Sequence, residues 1–178
     1  MGKLIVTAQM TVDGVIDTDL GWLDTAEQEG RAEDEVRLAH GFLLGRKTFE
    51  GIAPYWKQET YPFAQMVNRM PKYVVSRSLR GPLDWNASLI EGDVAEAINR
   101  LKQEHEGNLI SYGCGELAFE LVKFGVIDEV HFWVHPVIWG EAHRPFHGLG
   151  RVRLTSLETT VFGSGVALHK YHPAVVDA

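Results

Sequence analysis

Three short apolar runs in this chain each break into a cluster suited to holding a phosphate: Leu43-Leu44-Gly45-Arg46-Lys47-Thr48, Tyr73-Val74-Val75-Ser76-Arg77-Ser78 and Leu109-Ile110-Ser111-Tyr112-Gly113-Cys114-Gly115-Glu116-Leu117. Each reads as a buried strand whose C-terminal end opens into a turn carrying glycine, hydroxyl or cationic groups. In an open α/β sheet, ligands gather at the carboxyl ends of strands. Helix N-termini at that edge offer free N–H groups and positive dipole ends to anions. Three such places in one chain imply a ligand with several phosphates, which is a nucleotide. Gly45-Arg46-Lys47-Thr48 joins close backbone approach to two cations and a hydroxyl; the bland alternative is an ordinary strand-to-helix turn with solvated charges. Ser76-Arg77-Ser78 sets one guanidinium between two hydroxyls, which suits a phosphate ester. An arginine at such a place accommodates a 2′-phosphate, where an acidic residue would meet a free ribose hydroxyl. That favours NADPH over NADH. Gly113-Cys114-Gly115 before a helix resembles a shortened dinucleotide turn that lacks the third glycine of G-x-G-x-x-G. No G-x-x-x-x-G-K-[ST] sequence occurs, so ATP chemistry of that type has no support.

Glu27 is the candidate proton donor or substrate anchor, five residues after Trp22 and in the first turn of an expected helix. Acidic residues also favour helix starts for electrostatic reasons, and Asp24, Glu29, Glu33, Asp34 and Glu35 make this stretch generally acidic. Asp13 precedes Gly14, so it serves either a turn or the substrate. Trp22, Tyr55 and Trp56 fall near the expected cleft, with Phe49 between them in sequence. The histidines do not suggest a metal. His131 and His135 lie four apart on an expected strand, roughly 13 Å at ~3.3 Å per residue, too far to share an ion. His143 and His147 flank Pro145, which disfavours a helical pair.

The elements that must position these groups are legible from periodicity. Lys3 to Thr7 reads as a first strand, and Val12 to Ile16 as a turn leading back to the sheet. Thr25 to about His40 reads as a helix, with Thr25 and Gln28 spaced as a capping box. Phe42 to Gly45 is a short strand with a helical turn beginning near Thr48. Tyr61 to Met70 is a short helix ending before Pro71. Lys72 to Val75 and Ser88 to Ile90 are strands. Asp93 caps a helix with Glu96 completing the box and Val94, Ile98 and Leu101 on one face. Leu109 to Ser111 is a strand, followed by a helix with Leu117, Leu121, Val122 and Phe124 inward and Gly125 as its stop. Val130, Phe132 and Val134 alternate with His131, Trp133 and His135, which is strand periodicity. Arg153 to Phe162 and Val166 to Tyr171 flank Gly163-Ser164-Gly165 as a β-hairpin. The sum is a three-layer α-β-α domain with a mixed, mostly parallel sheet and an antiparallel C-terminal hairpin.

The chain of 178 residues is sized for a single domain with its own core. Its net charge of −7 argues against nucleic acid, where affinity rests on Lys and Arg neutralising phosphates. Cys114 is the only cysteine, so neither an internal disulfide nor a cysteine zinc cluster can form. No signal-peptide pattern opens the chain, and no apolar run nears the ~18–20 residues that span a bilayer. A cytoplasmic protein is expected. Aromatics on alternating faces around Trp133 and Trp139 suggest that a partner subunit covers one face, giving a homodimer.

Nearly the whole chain, Lys3 to Tyr171, resembles the dihydrofolate reductase-like superfamily, and within it the stand-alone bacterial proteins similar to the reductase domain of the bifunctional riboflavin-biosynthesis deaminase/reductase. The resemblance is carried by Thr11-Val12-Asp13-Gly14-Val15-Ile16, Leu43 to Phe49, Val74 to Ser78, Gly113 to Leu117, Gly125 to Val130, Pro136 to Gly140 and Phe162 to Val166. It implies NADPH across the sheet's C-terminal edge, with Gly45-Arg46-Lys47-Thr48 and Gly113-Cys114-Gly115 at the pyrophosphate and Ser76-Arg77-Ser78 at the 2′-phosphate. Glu116 and Leu117 continue the second of these segments. Asp13 to Ile16, with Val15 and Ile16, would lie beside the nicotinamide. The implied activity is reduction of a planar heterocycle, most similar to 5-amino-6-(5-phosphoribosylamino)uracil reduction; dihydrofolate or pteridine reduction and NADPH binding without turnover are the alternatives. The chain departs from the riboflavin-pathway reductases in two places. The helix after Trp22 is mostly acidic, with Arg31 and Arg37 its cations, where those proteins carry basic residues for a ribose phosphate. Phe49 to Trp56 replaces their aspartate–proline segment.

Overall fold

A computed structural model describes residues 1–16, 26–113, 115–140 and 150–174. Eight strands form one sheet in the order β4-β3-β2-β5-β1-β6-β8-β7. They are β1 (Leu4–Thr11), β2 (Ala39–Gly45), β3 (Lys72–Val75), β4 (Ala87–Leu89), β5 (Asn108–Tyr112), β6 (Glu129–His135), β7 (Leu154–Val161) and β8 (Ala167–Pro173). Strands β1 to β6 run parallel. The pair β7 and β8 is antiparallel, and β8 joins β6 in antiparallel register. The helices are α1 (Ala26–Arg37), α2 (Arg46–Trp56), α3 (Pro62–Arg69), α4 (Val94–Glu104) and α5 (Glu116–Lys123). The expected mixed sheet with a terminal hairpin is what the chain forms. None of the described helices is long and apolar enough to cross a membrane.

Connections out of β1, β2 and β3 step toward the β4 edge, and those out of β4 and β5 step back. Right-handed crossovers therefore put α1 to α3 on one face and α4 and α5 on the other. The two cores follow the alternation along each strand. Leu4, Val6, Ala8, Leu43 and Leu109 pack on Ile98, Ala118 and Leu121 of the second helix layer. Phe42, Leu44, Val74 and Ile110 pack on Val36, Phe49, Ala53 and Val67 of the first. Asp93 caps α4 as expected, its carboxylate accepting the Glu96 N–H at 2.9 Å. Gly125 stops α5 with φ +64°.

Four sequence expectations are corrected. Helix α1 ends at Arg37, and His40 belongs to β2, where its Nδ1 lies 2.7 Å from the Gly107 carbonyl. A side chain at Gly41 would come within 2.7 Å of the Tyr73 ring, so that close strand approach, rather than helix, sets the local geometry. Strand β1 runs on to Thr11, because Gln9 and Thr11 keep strand pairing despite breaking the apolar pattern. Phe124 is exposed at the C-cap of α5 rather than inward. Trp133 needs no partner subunit to cover it: Phe162 stacks on it at 5.5 Å and 7°, with Val166 and Leu168 beside them. Thr25, the first half of the expected α1 capping box, lies outside the described residues.

Candidate functional site

Parallel pairing brings the C-terminal ends of β3, β2, β5 and β1 side by side. Gly45 is in register with Val75, and Tyr112 with Thr7. Helix α2 starts directly after Gly45, and α5 directly after Gly115, with no side-chain cap at either start. Both therefore present unsatisfied backbone N–H groups at the same sheet edge. A Cβ at Gly45 would sit 3.4 Å from that of Leu117, so the two helix starts are in contact and the glycine permits it. Gly113 turns the chain out of β5 with φ +86°. Lys47 reaches across to Glu116 at 2.8 Å, and this pair holds the Glu116 carboxyl below its usual range. Both partners are well exposed, so the pair contributes little to stability and can open to a ligand. Arg46 pairs with Glu50 within α2 at 2.8 Å, and Thr48 is half-buried. Cys114 lies outside the described residues.

One strand over, the Ser76 hydroxyl accepts the N–H groups of Ser78 at 3.2 Å and Leu79 at 3.0 Å. That turn leaves Arg77 and Ser78 exposed. No side-chain contact of the Arg77 guanidinium is found among the described residues, while Arg80 donates to the Arg77 carbonyl. Two adjacent uncapped helix starts, and a guanidinium one strand away that is unpaired among the described residues, are groups that can bind phosphates.

The turn after β1 is tied down from both sides. Val15 accepts the Thr11 N–H at 3.0 Å and donates its own to the Thr11 hydroxyl at 2.9 Å, which leaves Val15 buried and Ile16 half-buried. Asp13 accepts the N–H groups of Trp139 and Gly140 at 3.2 and 2.9 Å. Hydrogen bonds from Thr11 first, then from Gly140 and Trp139, lower its pKa to about 2. Asp13 therefore sews this turn to the segment after β6, the turn role of the two that its sequence position allowed.

The other expected residues are spread out. Glu27 is exposed, and its carboxylate accepts the Gly163 N–H of the β7–β8 turn at 3.4 Å. Trp22 lies outside the described residues. Phe49, expected at the cleft, is instead in the core, 6.2 Å from the Trp85 ring. Tyr55 is exposed and meets half-buried Trp56 edge-on at 5.5 Å, with Tyr61 and Phe63 continuing the aromatic cluster.

Sequence reasoning missed a polar seam beneath α1. The odd-numbered residues of β1 and β6 face that helix, as His131 shows by meeting Glu35 of α1 at 2.9 Å. The other nitrogen of His131 meets Glu129 at 2.9 Å, and Lys3 holds Glu129 at 2.6 Å. Nearer the C-terminal edge, His135 Nε2 lies 2.6 Å from Gln9 Oε1. Thr7, Thr11, Gln28, His131 and His135 are all buried on this side. The partners are 96 and 126 residues apart in sequence, so no local spacing signals them.

The family described as RibD C-terminal domain matches residues 2–168. A Bacillus subtilis relative, "Uncharacterized protein YyaP", is 28% identical over 96% of this chain and 94% of its own. Among solved structures, a putative riboflavin biosynthesis protein from Shewanella sp. PV-4 superposes with TM-score 0.74 at 18% identity, covering 97% of this chain and 99% of that one. The Thermotoga maritima diaminohydroxyphosphoribosylaminopyrimidine deaminase/5-amino-6-(5-phosphoribosylamino)uracil reductase gives 0.70 at 14%, covering 97% of this chain and 57% of that longer one. Dihydrofolate reductase from Enterococcus faecalis, complexed with NADP(H), gives 0.60 at 20%, covering 97% and 96%. With a profile match over nearly its full length, the chain belongs to the RibD C-terminal domain family and has the dihydrofolate reductase-like fold.

Proposed function

We propose that this protein is a cytoplasmic NADPH-dependent reductase acting on a planar heterocycle, most similar in activity to 5-amino-6-(5-phosphoribosylamino)uracil reductase. The carrying observation is the contact between the uncapped starts of α2 and α5, with unpaired Arg77 one strand away. In this reading the two helix starts, with Lys47 and Arg46, hold the diphosphate. Arg77 with Ser76 and Ser78 takes the 2′-phosphate. Bound NADPH supplies the hydride. Val15 and Ile16 form the wall beside the nicotinamide, and the tie between Asp13 and residues 139–140 keeps that wall fixed. Trp22, Tyr55 and Trp56 supply flat apolar surface for the acceptor. A homodimer belongs to the same reading, through the exposed Ile138 and Trp139 after β6, and light scattering at micromolar concentration tests it.

Glu27 is the proton donor or relay in this reading, acting directly or through a water. Glu27→Gln is then expected to lower turnover by about 10²–10⁴-fold, the usual worth of general acid–base catalysis, while NADPH affinity holds. A change under threefold would leave Glu27 with its contact to Gly163 and hand the proton to solvent. That contact also favours a second reading, an NADPH-binding protein without turnover. NADPH oxidation with a panel of aminouracils, pterins and quinoid acceptors separates the two.

A further inference from the structure

The two faces of β1 and β6 differ sharply in polarity. Toward α4 and α5 these strands present Leu4, Val6, Ala8, Val130, Phe132 and Val134, as an interior sheet face ordinarily does. Toward α1 they present Thr7, Gln9, Thr11, His131 and His135 around Ile5 and Trp133. Burying hydrogen-bonding groups where apolar ones would serve costs stability unless they are satisfied. His131 is satisfied by Glu35 and Glu129, and Thr11 by Val15. Among the described residues, Gln9 is satisfied on one side only. Its Oε1 is an acceptor and cannot donate, so the facing Nε2 of His135 carries the hydrogen. The contact turns Oε1 of the carboxamide toward His135. A carboxamide oxygen has a second lone pair, and its nitrogen has two N–H donors. The Gln9 nitrogen has no partner among the described residues, and Gln9 itself is half-buried at the edge where the β1 turn folds back.

We propose that Gln9, oriented by His135, reads the lactam edge of the acceptor, a ring carbonyl next to a ring N–H. The carbonyl accepts from the Gln9 nitrogen, and the ring N–H donates to the open lone pair of Oε1. The inference rests on the reading of this edge as a reductase site, and it narrows the acceptor to heterocycles with an unsubstituted lactam. Buried His135 keeps the carboxamide from rotating, so the pair is set before the ligand arrives.

The test uses binding, which does not require turnover. Isotope-labelled protein saturated with NADP⁺ is titrated with uracil and with 1,3-dimethyluracil, which keeps the ring and carbonyls but has lost both ring N–H groups. Uracil is expected to move the Gln9 side-chain amide resonances and to bind at least tenfold more tightly than the dimethyl analogue, on the scale of one or two hydrogen bonds. Gln9→Met, similar in volume, is expected to erase that preference. Equal binding of the two probes, no binding of either, or unmoved Gln9 resonances would overturn the proposal, and the wild-type titration alone decides it if Gln9→Met does not fold. Acceptor-dependent NADPH oxidation, run in parallel, reports separately on the reductase reading: turnover without the uracil preference leaves that reading standing and removes this one.

Discussion

Arg77→Ala tests the proposed contact to the 2′-phosphate, the group by which the two nicotinamide cofactors differ. The side chain is exposed and touches nothing among the described residues, so folding stability is expected to change by no more than about 0.5 kcal/mol. The turn itself persists, because Ser76 and backbone groups make it. A charge-assisted hydrogen bond from guanidinium to phosphate contributes about 1.5–3 kcal/mol. Its loss is expected to weaken NADPH by roughly 10- to 150-fold, at about 1.4 kcal/mol per decade. NADH, which lacks the 2′-phosphate, is expected to bind the variant nearly as well as it binds the wild type. Titration of both cofactors by fluorescence, at two salt concentrations, measures this. The NADPH advantage of the wild type is expected to shrink at high salt, since exposed charges are screened. Equal losses for NADH and NADPH would refute the assignment of Arg77 to the 2′-phosphate.

Further outcomes follow from other contacts. Asp13 has a folded pKa of about 2, below its unfolded value, so its tie to residues 139–140 is complete above about pH 4 and is lost as pH falls toward 2; the Gly140 amide resonance reports this, and Asp13→Asn should flatten the response. Burial lowers the pKa of Lys72 to about 8, although its ammonium donates to the Val67 and Asn68 carbonyls at the end of α3. The unfolded chain keeps that proton to a higher pH, so wild type should gain stability relative to Lys72→Met between about pH 8 and pH 10.5; urea melts at pH 7 and pH 10 measure the difference, and parallel curves would count against it. Phe162→Ala removes the ring stacked on Trp133 and should cost about 3 kcal/mol, within the usual range for a buried phenylalanine; a loss below 1 kcal/mol in the same melts would mean that the hairpin does not seal that core.

The strand ends at Gly45, Val75 and Tyr112 were legible because each apolar run breaks there into glycine, hydroxyl or cationic residues. The folded chain brings two of these clusters into contact through Gly45 and Leu117. Helix α4 was legible down to its cap, since Asp93 and Glu96 are three residues apart and act locally. What depended on distant partners was not. The pairing of Gln9 with His135, and of His131 with Glu35, joins residues about a hundred positions apart, and each looked like a lone polar residue in an apolar strand. Phe49 was expected at the cleft because sequence alone does not show how α2 rotates about its axis; in the fold that residue meets Trp85. Asp13 had two readings from sequence, and the N–H groups that favour its turn role come from the far side of β6.

The central position of β1 has a consequence for how the chain reaches its native state. Its partners on either side are β5, through Leu4 and Leu109, and β6, through Ile5 and Glu129. Strand β1 is thus flanked by two strands that are made more than a hundred residues after it. Until then both of its edges and its apolar face stay open, a state prone to pairing with other chains. Closing such long loops before any contact rewards them also makes folding slow relative to a protein built from neighbouring elements. Synthesis rate and chaperone supply, more than the final stability, should then set how much of this protein a cell recovers in folded form.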